Sequence, residues 1–345
     1  MPDDMEMGDE RTVLLTRDLS VRFPVRRGPG SRVTGHVRAV EGVNLRIERR
    51  ETLGLVGESG CGKTTLGSSV LRPRDEATGQ VLYRSADGRV LDVTALRGED
   101  LATYRREVRM VFQDPHASLN PRLTLLEIIG EPLRVLLGLS GTELEDRAAE
   151  MLRRVGLRPG HLRRYPHAFS GGERQRVSIA RTLVPGPRLV VADEAVSALD
   201  VSVRSQILNL LQDLQDELGL TYLFISHDLS VVQHLCDRVA VMYLGRIVEL
   251  SGTDELYARP RHPYTEALIS AVPVPDPRRR GSRERIRLAG DVPDPADPPA
   301  GCPFHTRCRY ATERCVTEEP PLREVAPGRL VACHHAEDLR LAGAG

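Results

Sequence analysis

Residues 57–64 read Gly-Glu-Ser-Gly-Cys-Gly-Lys-Thr: a glycine, four residues, then Gly-Lys-Thr. Glycines let successive backbone N–H groups turn inward around phosphate oxygens. A helix starting just after them would present its positive end to the same anion. In this pattern a lysine reaches the β- and γ-phosphates of a nucleotide, and the hydroxyl that follows suits Mg²⁺. Gly57, Glu58, Ser59, Gly60, Cys61, Gly62, Lys63, Thr64 and Thr65 are therefore the candidate nucleotide-binding residues. The chain carries 48 basic residues, and Lys63 is the only lysine among them. A compact ammonium is kept where the broad guanidinium fork of arginine would not fit.

Two further stretches suit the same chemistry. Residues 189–194 read Leu-Val-Val-Ala-Asp-Glu, an apolar strand ending in two acids. Asp193 can hold Mg²⁺, and Glu194 can take a proton from an attacking water. Ser170, Gly171 and Gly172 stand directly before a helical stretch and form a second candidate anion cradle. The same residues also fit an ordinary helix start, since Ser170 and Glu173 have the spacing of a capping box. Near the C-terminus, Cys302, Cys308, Cys315 and Cys333 follow the spacing C-x5-C-x6-C-x17-C. Four thiolates can hold zinc or an iron–sulfur cluster, and this spacing does not choose between them. His305, His334 and His335 are additional candidate ligands.

The elements that must position these groups are legible in outline. Residues 12–23 and 37–57 alternate apolar and polar residues as strands do, with shorter strand-like runs at 80–84, 89–93 and 108–112. Residues 124–156 have helical spacing, interrupted near Gly138 to Gly141, and Thr142 with Glu145 has the pattern of a cap for the second half. Helical spacing returns at 173–183 and at 203–218, where Val203, Ile207, Leu210, Leu211, Leu214 and Leu218 share one face. Short buried strands are expected at 189–192 and 222–225. Such alternation predicts an α/β layered fold. Residues 273–299 hold seven prolines and a run of arginines, and read as a linker.

Composition narrows the function classes. The formal net charge is zero, so no global field draws the chain to nucleic acid or anionic lipid. With 40% hydrophobic and 28% charged residues it reads as a folded protein. No apolar run approaches the ~18 residues of a spanning helix. The acidic first residues show no secretory signal, and a location inside the cell is the expectation.

Taken in order, the phosphate loop, the Ser-Gly-Gly-Glu element, the acid pair, Ser197 to Asp200 and Ser226-His227-Asp228 resemble an ATP-binding cassette (ABC) ATPase. Residues 111–122, 165–172, 220–232 and 261–277 are similar to the oligopeptide/dipeptide (peptide/nickel) importer ATPases, and to their F-type subunit most closely. The resemblance implies a P-loop NTPase fold over 12–272, after an N-terminal tail at 1–11. It has a RecA-like core, an antiparallel β subdomain and a helical subdomain over roughly 114–172. It implies the linker at 273–299 and a small Cys-rich module with its tail at 300–345. It casts Gln113 as a sensor of Mg²⁺ and γ-phosphate, and His227 as the group orienting water. Ser170 and Gly172 would touch nucleotide held by the opposite subunit, and Asp200 would lie at the boundary between subunits. Phe23 is the candidate for stacking on adenine, with a strand-core role as the plainer reading. Implied cofactors are ATP and Mg²⁺, with a [4Fe-4S] cluster at the four cysteines, zinc being the alternative. A reducing cytosol disfavours disulfides there. Implied partners are two integral membrane permeases, a second ATPase subunit (a D-type paralogue, or a second copy) and, indirectly, an external solute-binding protein. The expected place is the cytoplasmic face of the membrane, with no nucleic-acid partner. A soluble ABC ATPase acting on nucleic acid or ribosomes, or an exporter ATPase, is the competing class. Glu173 and Ala195 depart from the family pattern, which has Gln and Pro there.

Overall fold

The computed structural model describes residues 7–27, 32–73, 76–113, 118–272 and 285–343. Residues 273–284 of the expected linker, and residues 114–117 of the expected helical subdomain, lie outside the described residues. Two sheets organise the chain. In the smaller, β1 (Thr12–Arg27) and β2 (Arg32–Glu48) pair antiparallel, and β4 (Ala77–Arg84) with β5 (Val90–Asp92) extends them in the order β2-β1-β4-β5. In the larger, β3 (Thr52–Val56) runs parallel to β8 (Thr221–Ile225) on one side and to β9 (Arg238–Tyr243) on the other. β7 (Leu189–Asp193) and β6 (Val108–Val111) continue the parallel part.

The sequence expectation of one strand over 37–57 is corrected here. The run breaks at Arg49 to Glu51, where Arg50 takes a positive φ of 63°, and its halves enter different sheets. Strands buried on both faces explain the short apolar runs. Val190, Ala192, Tyr222 and Phe224 face one core, while Leu189, Val191, Leu223 and Ile225 face the other. Period-two alternation thus sends one strand into two cores at once.

The first core is completed by helices α3 (Leu125–Leu137), α4 (Gly141–Arg154), α5 (Gly171–Leu183) and α6 (Val201–Leu218). The second holds α1 (Lys63–Leu71) and, through Tyr104, α2 (Gly98–Glu107), under the smaller sheet. α3 opens with Thr124 accepting from the Glu127 backbone while Glu127 returns the bond, a full capping box. The predicted Thr142 box does not form. α4 already begins at Gly141, so Thr142 lies inside the first turn, and Ser140 makes no side-chain cap. After α7 (Leu229–Leu235), β10 (Arg246–Gly252) turns back antiparallel on β9. Two short helices, α8 (Thr253–Ala258) and α9 (Pro263–Ser270), follow.

The C-terminal segment does not stand as a module of its own. After α10 (Glu313–Thr317), β11 (Arg323–Ala326) and β12 (Arg329–Val331) extend the larger sheet, pairing Val331 with Glu249 and Leu330 with Leu250 of β10. The sheet order is β11-β12-β10-β9-β3-β8-β7-β6. Glu249, fully buried, receives Arg329 Nη2 at 3.1 Å and the backbone N–H groups of Arg261 and His262. Among the described residues, no helix is long and apolar enough to cross a membrane.

Candidate functional site

The phosphate loop joins the C-terminal end of β3 to α1, at the centre of the larger sheet. Gly57 has φ +156°, and a Cβ there would lie 2.2 Å from the Met242 carbonyl oxygen. Gly62 has φ +106°, and its Cβ would lie 2.0 Å from the carbonyl oxygen of Ala39. Only glycine fits these two positions, so the loop is wedged between β9 and β2 by backbone contact. Lys63 is buried and its Nζ donates to the carbonyls of Gly57 at 2.8 Å and Glu58 at 2.9 Å. Glu58 N–H donates to the Tyr264 hydroxyl at 2.8 Å, and its carboxylate is gripped by Arg307. Cys61 is buried beside Lys63, and burial pushes its thiol up. Ser59 and Gly60 stand exposed at the loop's tip, and Thr65 lies in the first turn of α1.

Thr64 Oγ1 donates to Asp193 Oδ1 at 3.3 Å, which ties the loop helix to the end of β7. Asp193 is buried, and burial raises its carboxyl above the usual range, with the charge of Glu194 adding to the rise. A hydroxyl and a carboxylate side by side are hard oxygen donors, the chemistry that Mg²⁺ takes. Glu194 follows with φ +47°, a left-handed backbone that costs a non-glycine residue about 1 kcal/mol. The turn is held from both sides. Glu194 N–H donates to the Ile225 carbonyl at 2.9 Å, and Ser197 returns its N–H and its hydroxyl to the Glu194 carbonyl, each at 3.0 Å.

Two residues from separate parts of the chain meet on the Glu194 carboxylate. Gln113 Nε2 donates to Glu194 Oε2 at 2.9 Å, and His227 Nδ1 lies 3.0 Å from Glu194 Oε1. Gln113 lies two residues past the end of β6, and His227 sits in the turn between β8 and α7. The structure therefore brings Lys63, Thr64, Asp193, Glu194, Gln113 and His227 into one connected site at the C-terminal ends of β3, β6, β7 and β8.

Other candidate residues stand apart from this group. Ser170 caps α5: Glu173 N–H donates to its Oγ, and its own N–H and hydroxyl donate to Glu173 Oε2 at 2.9 and 2.8 Å. Gly171 opens that helix, and Gly172 packs so tightly on Val203 that a Cβ would meet it at 2.5 Å. Asp200 precedes α6, and its carbonyl accepts from Arg204 N–H. Phe23 lies half-buried on β1 opposite Val37, against the second core. The sequence reading had no signal for Gln175, which is buried in α5 and donates to the Ala195 carbonyl at 2.7 Å. That bond braces the turn after Glu194, where the proline usual in the family is absent.

Cys302, Cys308, Cys315 and Cys333 line one small cavity together with His262, His305, His334 and His335. Burial pushes the thiols of Cys302 and Cys333 up, to about 12 and about 11. Among the described residues, no group of three or more His, Cys, Asp or Glu side chains is arranged to hold a metal ion.

Known proteins resemble this chain in sequence and fold. Residues 40–197 match the ABC transporter family, and residues 248–315 match the C-terminal region of oligopeptide/dipeptide transporters. The oligopeptide transport ATP-binding protein AppF of Bacillus subtilis is 51% identical over 96% of this chain and 99% of its own length. The chain belongs to the ATP-binding subunits of oligopeptide ABC transporters. This ABC subunit is an ATPase. It is also 52% identical to a probable peptide ABC transporter ATP-binding protein, y4tS, of Sinorhizobium fredii, over 93% of this chain and 89% of that one. Among solved structures, cbiO1 of Clostridium perfringens, part of the ABC transporter complex cbiONQ, superposes with a TM-score of 0.59 at 29% identity. That match covers 72% of this chain and 91% of the other. The ATP-binding cassette MJ0796, in a dimeric post-hydrolysis state bound to ADP and Pi, gives a TM-score of 0.59 at 28% identity, over 70% and 98% of the two chains.

Proposed function

We propose that this ABC ATPase energises a peptide importer by hydrolysing ATP at the site built on Lys63, Thr64, Asp193, Glu194, Gln113 and His227. The observation that carries the reading is the single carboxylate of Glu194, bonded on one oxygen to Gln113 and facing His227 with the other. A carboxylate oriented from both sides is suited to accept a proton from water attacking the γ-phosphate. His227 orients that water, and Gln113 reports the state of the phosphate to the helices beyond it. Backbone N–H groups of residues 57–65 hold the phosphates, and Lys63 turns from the loop carbonyls to the β- and γ-phosphates. Mg²⁺ at Thr64 and Asp193 would offset negative charge on those phosphates.

One phosphate loop and one Ser-Gly-Gly element make a full site only in a pair. Ser170, Gly171 and Gly172 serve nucleotide on the opposite subunit, Asp200 lies at the seam, and Phe23 stacks on adenine. The sister subunit is a D-type paralogue or a second copy. ATP closes the pair and hydrolysis reopens it, and two membrane permeases read the change at the cytoplasmic face. An external binding protein delivers the peptide, or a related small solute such as nickel. At the four cysteines we propose a [4Fe-4S] cluster. Four soft donors line one cavity, although among the described residues they are not drawn into a ligand set, and bound zinc without iron or sulfide in the purified protein would replace the cluster.

The test is affinity purification of the chain with ATP from solubilised native membranes, read by mass spectrometry. Two multi-span permeases and a sister ATPase are expected. Ribosomal or DNA-bound proteins without a permease would overturn the importer reading.

A further inference from the structure

The C-terminal region reaches back to the phosphate loop. Arg307 lies in a short turn, His305–Arg307, bracketed by Cys302 and Cys308. Its guanidinium is almost wholly buried and makes a two-point bond to Glu58, Nη1 to Oε2 at 2.7 Å and Nη2 to Oε1 at 3.1 Å. Tyr264, at the start of α9 and fully buried, accepts the Glu58 N–H. Both anchors share one aromatic cluster. The rings of Tyr243 and Tyr264 are 4.7 Å apart, Phe304 lies 5.2 Å from Tyr243 and 5.4 Å from Tyr264, and the Arg307 guanidinium is 6.0 Å from the Tyr243 ring. Glu58 is thus held at its N–H and at its carboxylate by residues 206 and 249 positions away, while Lys63 bonds its carbonyl.

We propose that Arg307, seated with Tyr264, is a positioning residue for the phosphate loop, through which the C-terminal segment sets the affinity of the site for nucleotide. Two physical effects act together. A loop already held in its binding shape loses less freedom when it closes on phosphate. And Glu58 is an acid within a loop that must accept a polyanion. The planar fork of Arg307 pairs with both carboxylate oxygens and cancels that charge beside the phosphates. The proposal rests on the nucleotide reading of residues 57–64.

The test measures Kd for MgATP on the full chain, by competition with a fluorescent ATP analogue, with turnover at saturating ATP alongside. Arg307→Gln leaves Glu58 charged and unpaired, and Kd is expected to rise about tenfold while turnover stays within about twofold. Adding Glu58→Gln removes the stranded charge, so the double variant should recover to within about threefold of wild type. Arg307→Lys, a point charge without the fork, should fall between. Arg323→Gln, which breaks a surface pair with Glu337, should leave Kd unchanged. A wild-type Kd in Arg307→Gln overturns the proposal, as does a double variant no better than the single. Should Arg307→Gln fail to fold, a wild-type Kd in Arg307→Lys overturns it equally. If the wild-type chain binds no MgATP, the nucleotide reading itself falls, and this proposal with it.

Discussion

Asp193 sets stability against function at a single residue. Burial raises its carboxyl above the ordinary value of 3.8, helped by Glu194 and opposed by Thr64 and Lys63. An acid whose pKa is raised by folding favours the protonated form in the fold. Its contribution to stability is full below the ordinary value and is lost as pH rises through the raised one. At neutral pH the charged carboxylate therefore weakens the nucleotide-free fold. Asp193→Asn is expected to raise the melting temperature at pH 7.5. The gain should shrink toward acid pH, and Mg²⁺-dependent turnover should fall by at least about 100-fold. Thermal melts across pH, with ATPase assays, check this; a lowered melting temperature at neutral pH would contradict it. Residues of this kind were legible because their motifs are contiguous: 57–64 and 193–194 each carry spacing and type together. Gln175, Tyr264 and Arg307 carry no such signal. Their roles arise from contacts across 20, 206 and 249 positions, which the tertiary fold alone creates.

Among the elements, helix starts show what a pattern can and cannot say. Thr124 with Glu127 and Ser170 with Glu173 form the same reciprocal box at α3 and α5. Thr142 with Glu145 has equivalent spacing, yet the helix begins two residues earlier, at Gly141, and the box goes unused. The two boxes that do form separate capping from chemistry. Ser170→Ala and Thr124→Ala should each cost about 1 kcal/mol of stability, read by chemical denaturation. Only Ser170→Ala should also depress the ATPase of the assembled pair, since only Ser170 is assigned to nucleotide on the opposite subunit. Equal ATPase in both variants would leave Ser170 a cap and no more. Strand ends are harder: residues 37–57 read as one run although Glu48 to Thr52 are all polar and interrupt the alternation, and the reversal at Arg50 is a matter of backbone angle.

At the scale of the whole molecule, the eight-stranded sheet joins the nucleotide site to the C-terminal segment. β11 and β12 escaped the sequence reading because they are four and three residues long and too short to show a period. The order of strands and the two-faced burial of β7 and β8 were foreshadowed only as an α/β pattern. The attachment is secured by Glu249 and Arg329, both nearly inaccessible, and burial pushes the Glu249 carboxyl up. Arg329→Met strands that acid in the core and should cost about 3–5 kcal/mol, whereas replacing both partners by apolar residues should recover much of the loss. Denaturation midpoints of the single and double variants decide this; a neutral single variant would contradict it. Glu194, held by Gln113 and His227, is the proposed general base of this ATPase. The measurement that tests that role most directly compares MgATP binding and hydrolysis in wild-type and Glu194→Gln transporter assembled with its permeases. Unchanged nucleotide affinity with turnover slowed by at least about 100-fold is expected. Steady-state hydrolysis at the wild-type rate in Glu194→Gln would contradict it.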